Sequence, residues 1–83
     1  MKNNEMLDAA LECRTAGGEF EIEIYYSGME LSTTYFLEHI DIYEDYFVIW
    51  GHKYNLTIYP DEFQFYDGVW HSLGESIIFK GVN

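Results

Sequence analysis

The sequence predicts an α+β domain in which one N-terminal helix packs on a curved antiparallel sheet of five to seven strands, or on a small, partly closed barrel. Apolar residues near the N-terminus recur every three or four positions, whereas from Glu19 onward they alternate with polar ones. Hydrophobic residues make up 48% of the 83 residues and aromatic ones 19%, enough for a core. We therefore expect residues 1–83 to form a single domain.

The helix is predicted over residues 3–14. Its apolar residues share one face because they lie at positions i, i+3 and i+4: Leu7, Ala10 and Leu11. Asn3 or Asn4 could cap the first turn by accepting backbone N–H bonds, and Gly17-Gly18 supplies the stop. Because so short a helix is unstable alone, we expect it to cover one face of the sheet.

The first strand has a clear alternation of inward and outward residues. The inward set is Phe20, Ile22, Ile24 and Tyr26. The outward set is Glu19, Glu21, Glu23 and Tyr25. Ser27-Gly28 offers a tight turn into residues 29–37. That segment is either a second strand or a short helix that Ser32 caps and that runs to Glu38.

The next segment predicts a hairpin with a defined register. If Glu44-Asp45 form a two-residue loop, one face holds the apolar residues Ile40, Ile42, Phe47 and Ile49. The opposite face then holds His39, Asp41, Tyr43, Tyr46, Val48 and Trp50. Glu-Asp suits a type I′ turn poorly, so a longer loop is the alternative. Because residues 46–50 are apolar on both faces, we expect a central strand that is covered on both sides.

The last third of the chain predicts further short strands. Residues 54–59 alternate, Pro60-Asp61 turns the chain, and residues 62–66 place Phe63 and Phe65 inward. Asp67-Gly68 is the strongest hairpin signal in the sequence. Residues 69–71 return, Leu73-Gly74 breaks or bulges the chain, and residues 76–80 form a final strand.

The charge of the chain limits its function. Fifteen acidic residues against four Lys and Arg give a net charge of −11, whereas a small domain needs about 2–8 for solubility. Such a protein is repelled by nucleic acid and by anionic membranes, so we expect direct binding to neither. The excess suggests a surface that meets a basic protein.

The expected location is the cytoplasm, or the host-cell cytoplasm if a phage encodes the chain. A single cysteine, Cys13, cannot form an intrachain disulfide. The N-terminus has no apolar run typical of a signal peptide, and no segment approaches the roughly 18 apolar residues of a membrane span.

Two acidic groups are predicted to bind the partner. Glu19, Glu21 and Glu23 would project from one strand about 6.7 Å apart, which is the scale of successive phosphates in a nucleic acid. The alternative is a solvated sheet face that prevents edge-to-edge pairing. The second group comprises Asp41, Glu44 and Asp45. Five outward tyrosines would serve as anchors, or would instead pack across a second sheet layer or line a barrel interior: Tyr25, Tyr43, Tyr46, Tyr59 and Tyr66. Of these, Tyr25, Tyr43 and Tyr46 are predicted to bind the partner together with the acidic groups.

No motif predicts catalysis, a cofactor or a metal. His39, His52, His71 and Cys13 lack the spacing of metal ligands. Cys13 has no demonstrable base and is interpreted as a small buried hydrophobe. The sequence therefore predicts a binding protein and not an enzyme.

The profile of small size, acidity and a single domain without an active site is similar to phage-encoded inhibitors of bacterial defence or repair proteins. These include anti-CRISPR proteins, antirestriction proteins and uracil-DNA glycosylase inhibitors. It also resembles acidic immunity proteins that neutralise basic nuclease toxins. The resemblance covers no motif and assigns no residue.

The leading hypothesis is thus a stoichiometric inhibitor, a DNA mimic that occupies the basic nucleic-acid-binding surface of a nuclease or effector complex. Two alternatives come from other classes. One is a homo-oligomeric structural or adaptor domain, with a homodimer as its simplest form. The other is a small-molecule or glycan-binding domain with an aromatic-lined concavity.

Overall fold

A computed structural model of the protein describes residues 4–26 and 29–81. One helix, α1 (Glu5–Thr15), precedes the strands, and a single 3₁₀ turn (Pro60–Glu62) lies between the fifth and sixth. The strands are β1 (Glu19–Tyr26), β2 (Met29–Phe36), β3 (His39–Ile42), β4 (Phe47–Gly51), β5 (Tyr54–Ile58), β6 (Gln64–Tyr66), β7 (Val69–Ser72) and β8 (Glu75–Lys80). The predicted α+β class is confirmed, and the segment after residue 28 is a strand rather than a helix. The predicted Ser27-Gly28 turn lies outside the described residues.

The strands form two antiparallel sheets rather than one. The larger has the order β2-β1-β8-β7-β6, and the smaller has the order β3-β4-β5. In the described part of the chain, the edge strands β2 and β6 do not pair with each other, so the larger sheet is open and the barrel alternative is not observed. No helix in the described ranges is long and apolar enough to cross a membrane.

The two ends of α1 differ in how they satisfy their backbone groups. Asn4 occupies the N-cap position but makes no side-chain hydrogen bond there, because its backbone is already helical at φ −86° and ψ −9°. Capping by Asn4 was therefore a wrong prediction, and Asn3 lies outside the described residues. At the other end, the amide of Gly18 donates to the Cys13 carbonyl at 2.8 Å and that of Gly17 to Arg14 at 3.0 Å. These two bonds and the positive φ of Gly17 form a Schellman motif, which confirms the predicted stop.

A single core lies between the inward faces of the two sheets and α1. Its buried members come from all three: Met6, Ala10, Cys13, Phe20, Ile22, Leu37, Ile40, Phe47, Ile49, Ile58, Phe63, Trp70 and Ile77. Tyr35 of β2 joins the sheets, because its ring stacks on Phe20 at 5.5 Å and on Tyr54 of the smaller sheet at 4.5 Å. The backbone of β4 comes close to this ring at Gly51, where a Cβ atom would lie 2.7 Å from Tyr35 Cβ.

The predicted register of the β3–β4 hairpin is confirmed. Ile40 pairs with Ile49 and Ile42 with Phe47, and the Tyr43 amide donates to the Tyr46 carbonyl at 2.9 Å. Neither residue of the connecting Glu44-Asp45 turn has a positive φ, so the turn is not type I′. Ile42 is 54% exposed although its face was predicted to be buried. It ends an edge strand, where only one side has a neighbouring strand.

The Asp67-Gly68 hairpin is confirmed as a type I′ turn, because both residues have positive φ values of 52° and 81°. Phe65, which was predicted to point inward, lies on the same face as the buried Trp70 with which it pairs, but its side chain is 57% exposed. Phe65 lies on the edge strand β6, where its ring contacts Trp70 at 4.7 Å and its other side faces solvent. Phe63 is buried as predicted.

Candidate binding surface

The predicted partner-binding residues lie on two different sheets. Glu19, Glu21, Glu23 and Tyr25 follow the strand alternation of β1 and project opposite to its buried residues. Asp41, Tyr43 and Tyr46 project from the smaller sheet, with Glu44 and Asp45 in the turn between its first two strands. Because the inward faces of both sheets share one core, that core separates the two groups. The structure does not bring them together into a single surface.

The glutamate row on β1 is partly engaged within the chain. Lys80 Nζ lies 3.3 Å from Glu21 Oε2, and the Tyr25 hydroxyl donates a hydrogen bond to Glu23 Oε2. β1 lies between β2 and β8, so the row does not protect a sheet edge in the folded protein. That the row is a solvated sheet face stays a prediction. Two of the three carboxylates therefore have partners in the fold.

Three tyrosines contact one another through their rings on the outward face of the smaller sheet. The rings of Tyr43 and Tyr46 lie 4.8 Å apart at 17°, and those of Tyr46 and Tyr59 lie 5.4 Å apart at 39°. The two outer rings, Tyr43 and Tyr59, are 49% and 46% exposed. We call these three residues the tyrosine cluster. It presents aromatic area that does not have to be ordered on binding.

Four exposed carboxylates flank the tyrosine cluster along the chain. Glu44 and Asp45 form the turn that joins Tyr43 to Tyr46, and Asp61 and Glu62 follow Tyr59 in the 3₁₀ turn. We call the tyrosine cluster together with these four carboxylates the acidic tyrosine surface. It combines the aromatic residues favoured at binding hot spots with concentrated negative charge.

The fixed cations in the described ranges lie elsewhere. Lys53 is in the turn at the opposite end of β4 from Tyr46, about 20 Å away at the ordinary strand rise. Lys80 is paired with Glu21 on the other sheet, and Arg14 Nε donates to the Glu38 carbonyl at 3.4 Å. Among the described residues, no Lys or Arg forms an ion pair with the acidic tyrosine surface, so these cations do not neutralise its charge.

Asp41 is held by two hydrogen bonds on the outward face of the smaller sheet, the face that also carries the tyrosine cluster. Its Oδ2 accepts a bond from Trp50 Nε1 at 2.9 Å, and its Oδ1 lies 2.7 Å from His39 Nε2. The bond with His39, followed by the bond with Trp50, lowers the pKa of the Asp41 carboxyl. Asp41 is thus engaged in fixing Trp50 rather than standing alone as a free charge.

Tyr59 was predicted only as one of five outward tyrosines, and Trp50 was not among the residues predicted to bind the partner. The alternation had placed both outward, but only the pairing of β4 with β5 brings Tyr59 beside Tyr46. The prediction that residues 46–50 are covered on both sides is wrong, because Trp50 is 37% exposed on an open face. β4 is nevertheless the central strand of its sheet.

An apolar cavity of about 140 Å³ lies between the sheets near the β2 edge. Its lining consists of Ile22, Ile24, Leu31, Thr33, Tyr35 and Tyr54. Ligand pockets usually enclose about 300–1,000 Å³, and no carboxylate lines this one. The cavity therefore gives little support to a glycan site built from aromatic rings and carboxylates.

The other groups with reactive chemistry form no site in the described residues. Within residues 4–26 and 29–81, no group of three or more His, Cys, Asp or Glu side chains could hold a metal ion. The Cys13 thiol is buried and donates to the Glu19 carbonyl at 3.3 Å and to that of Lys80 at 3.5 Å. Burial raises the pKa of this thiol, which keeps it in its neutral and unreactive form.

No protein-family model, curated protein or solved structure matches this chain. Its function is therefore inferred from the chemistry of its own surfaces.

Proposed function

We propose that this chain is a small acidic binding protein that occupies the basic, nucleic-acid-binding surface of another protein and so inhibits it stoichiometrically. The single observation that carries the proposal is the acidic tyrosine surface. Tyr43 and Tyr46 are stacked, Tyr59 lies tilted against Tyr46, and four exposed carboxylates flank these residues along the chain. A groove that binds nucleic acid presents Lys and Arg, which such a surface complements.

The charge of the whole chain supports the same partner. A net charge of −11 attracts basic surfaces over distances comparable to the Debye length, which is about 10 Å at 0.1 M salt. This attraction raises the association rate with a basic protein and falls as salt screens it. Excess charge of one sign also repels other copies of the chain and nucleic acid, and so favours a basic protein over both.

The tyrosine cluster supplies the contact that charge alone does not. Tyrosine is enriched at binding hot spots because it offers a large area with only two side-chain torsions to fix. Stacking in the free protein restrains these torsions before the partner arrives. The cluster would therefore anchor the complex, while the carboxylates would select basic partners and speed their arrival.

Affinity capture from host lysate at low ionic strength, followed by binding kinetics with the captured protein, tests the proposal. The bait variants are Glu44→Lys with Asp45→Lys and, as the matched control on the other sheet, Glu19→Lys with Glu23→Lys. We expect the parent chain to capture a basic nucleic-acid-binding protein that duplex DNA displaces. The Glu44→Lys with Asp45→Lys variant should fail to capture it. We also expect its association rate to fall as salt rises.

Two results would contradict the proposal. One is a captured partner that duplex DNA does not displace, because its nucleic-acid surface would then be unoccupied. The other is association that is indifferent to salt. If only the Glu19→Lys and Glu23→Lys variant loses binding, the partner-binding surface is the β1 row instead. A nuclease toxin as the captured protein would identify an immunity protein within the same class.

A second candidate, a homo-oligomeric domain, is favoured by the edge of the larger sheet. β2 is an edge strand, and its residues from Leu31 to Phe36 include no charged side chain. An exposed, uncharged strand edge can pair with the same edge of another copy. Light scattering at several concentrations tests this candidate, which predicts a dimer that dissociates on dilution and is contradicted by a strict monomer.

A further inference from the structure

We infer that the tyrosine cluster is an arginine-binding site, at which the partner's guanidinium groups stack on the outer rings while carboxylates of the acidic tyrosine surface accept their hydrogen bonds. This inference rests on the proposed function and specifies the chemistry of its partner. It predicts that the surface discriminates between arginine and lysine, which general attraction to positive charge does not do.

The geometry of the rings provides places for a flat cation. Tyr46 contacts both other rings, Tyr43 at 4.8 Å and Tyr59 at 5.4 Å between ring centres. Tyr43 and Tyr59 are each about half exposed, so part of each side chain is accessible to a partner. A guanidinium group is planar and weakly hydrated, so it stacks on such a ring face within about 6 Å of the ring centre.

The neighbouring carboxylates complete the site. Glu44 directly follows Tyr43, Asp45 directly precedes Tyr46, and both side chains are exposed. A guanidinium group can donate two parallel hydrogen bonds to one carboxylate while its plane lies on a ring. The ammonium group of lysine is a compact, strongly hydrated charge that cannot make both contacts in this way. The combination of ring and carboxylate therefore favours arginine.

The chain does not fill the site with the cations that the structure describes. Arg14 donates its Nε to the Glu38 carbonyl, Lys80 pairs with Glu21, and Lys53 lies at the far end of β4. None of these three cations neutralises the negative charge beside the rings. This complementarity of charge selects a basic protein segment over an acidic or neutral one.

Two blocked peptides test the inference. One contains six arginines alternating with glycine, and the other has lysine at the same six positions. Affinities are measured by isothermal titration at one low salt concentration, and the site is mapped by amide chemical shifts. We expect the arginine peptide to bind about fivefold more tightly, as an exposed ring contact allows. The largest shifts should fall on the tyrosine cluster and the Glu44-Asp45 turn.

Variants assign the selectivity to the rings and the carboxylates. Tyr43→Leu with Tyr59→Leu keeps apolar bulk but removes the aromatic faces, and should reduce the arginine preference to about twofold or less. Tyr66→Leu is the matched control, because Tyr66 is a 73% exposed tyrosine next to an aspartate on the other sheet. Glu44→Gln with Asp45→Asn should weaken the binding of both peptides. This variant keeps the rings, so it tests the site even if the tyrosine variant does not fold.

The possible failures are distinguishable. Equal affinities for the two peptides at the tyrosine cluster would overturn the arginine site but leave the basic-partner proposal standing. Shifts confined to the β1 glutamate row would overturn the site and assign basic segments to the other sheet. If neither peptide binds and a neutral oligosaccharide shifts the same residues, both the arginine site and the proposed function are wrong.

Discussion

The indole nitrogen of Trp50 donates a hydrogen bond of 2.9 Å to Asp41 Oδ2, and this bond connects the neighbouring strands β4 and β3 on their outward face. The other carboxylate oxygen lies 2.7 Å from His39 Nε2. A half-exposed tryptophan is therefore fixed at one end of the sheet whose other end carries the tyrosine cluster. The face is ordered at both ends.

Replacing Asp41 should release the Trp50 indole. In Asp41→Ala, the indole N–H loses its charged acceptor, so its proton resonance should move upfield and exchange faster with water. Asp41→Asn retains an acceptor oxygen and should change the signal less. The Trp70 indole provides an internal control in the same spectrum, because Trp70 is buried on the other sheet. An unchanged Trp50 signal in Asp41→Ala would show that the bond is not formed in solution.

Glu75 should make the protein less stable as the pH rises. Burial, with a further contribution from the Glu62 carboxylate, raises the pKa of Glu75 above its ordinary value. Between the unfolded and the folded pKa, the folded protein binds more protons than the unfolded chain, so the free energy of unfolding falls with increasing pH. Removing the charge with Glu75→Gln should raise the melting temperature at neutral pH.

The gain from Glu75→Gln should disappear at about pH 3.5, which lies below the pKa of a glutamate in the unfolded chain. At that pH the glutamic acid and the glutamine at this position are both neutral. Glu12→Gln is the matched control, because it removes one negative charge from an exposed position on α1. Thermal unfolding followed by circular dichroism at both pH values gives the comparison. Equal gains from the two substitutions at neutral pH would mean that net charge, and not the burial of Glu75, causes the effect.

Gly51→Ala should destabilise the contact between the sheets. The new Cβ would lie 2.7 Å from Tyr35 Cβ and 3.1 Å from its Cγ. Tyr35 cannot move away easily, because its ring is stacked on both Phe20 and Tyr54. We expect the free energy of unfolding in urea to fall by about 1–3 kcal/mol, the usual range for overpacking.

Gly81→Ala is the control for this packing effect. Its Cβ would lie 3.7 Å from Ala16 Cβ, an ordinary contact, so the change should be within about 0.5 kcal/mol. If Gly51→Ala is as harmless as Gly81→Ala, the smaller sheet does not approach Tyr35 as closely as the structure describes.

The order of strands along the sequence was easier to predict than their arrangement. The β3–β4 register followed from the apolar alternation around a short turn, and Asp67-Gly68 followed from the backbone freedom of its residues. Both features involve residues close together in the chain. The pairing of β1 with β8 joins residues about fifty or more positions apart, and no local pattern encodes it.

The candidate site, too, could be predicted only where it depends on residues close together in the chain. The alternation correctly placed Tyr43 and Tyr46 outward on one face, and the structure stacks them. It could not divide the strands into two sheets, so it could not show that the core separates Glu21 from Glu44. Nor could it show that Lys80 reaches Glu21, because that contact depends on the long-range β1–β8 pairing.

Added salt should stabilise the free protein. The net charge is −11. Within residues 4–26 and 29–81, the one ion pair that involves a Lys or Arg joins Lys80 to Glu21. Moderate sodium chloride, about 0.2 M, screens the remaining repulsion and should raise the melting temperature.

Glu44→Lys with Asp45→Lys changes the net charge from −11 to −7, because each reversal adds two units. This variant should therefore gain less from salt than the parent chain. Scanning calorimetry with and without salt measures both. A melting temperature that falls with salt would indicate that attractive pairs outweigh repulsion in the folded state.

The pairing of β1 with β8 has a consequence for the order in which the chain folds. The β3–β5 sheet consists of consecutive strands and can assemble from local contacts, but one side of β1 has no partner until β8, about fifty or more positions away, joins it. During that interval, we expect the glutamates of β1 to keep the waiting strand hydrated and to repel identical strands on other unfolded chains. This acidity would protect a partly folded molecule, whatever the folded one binds.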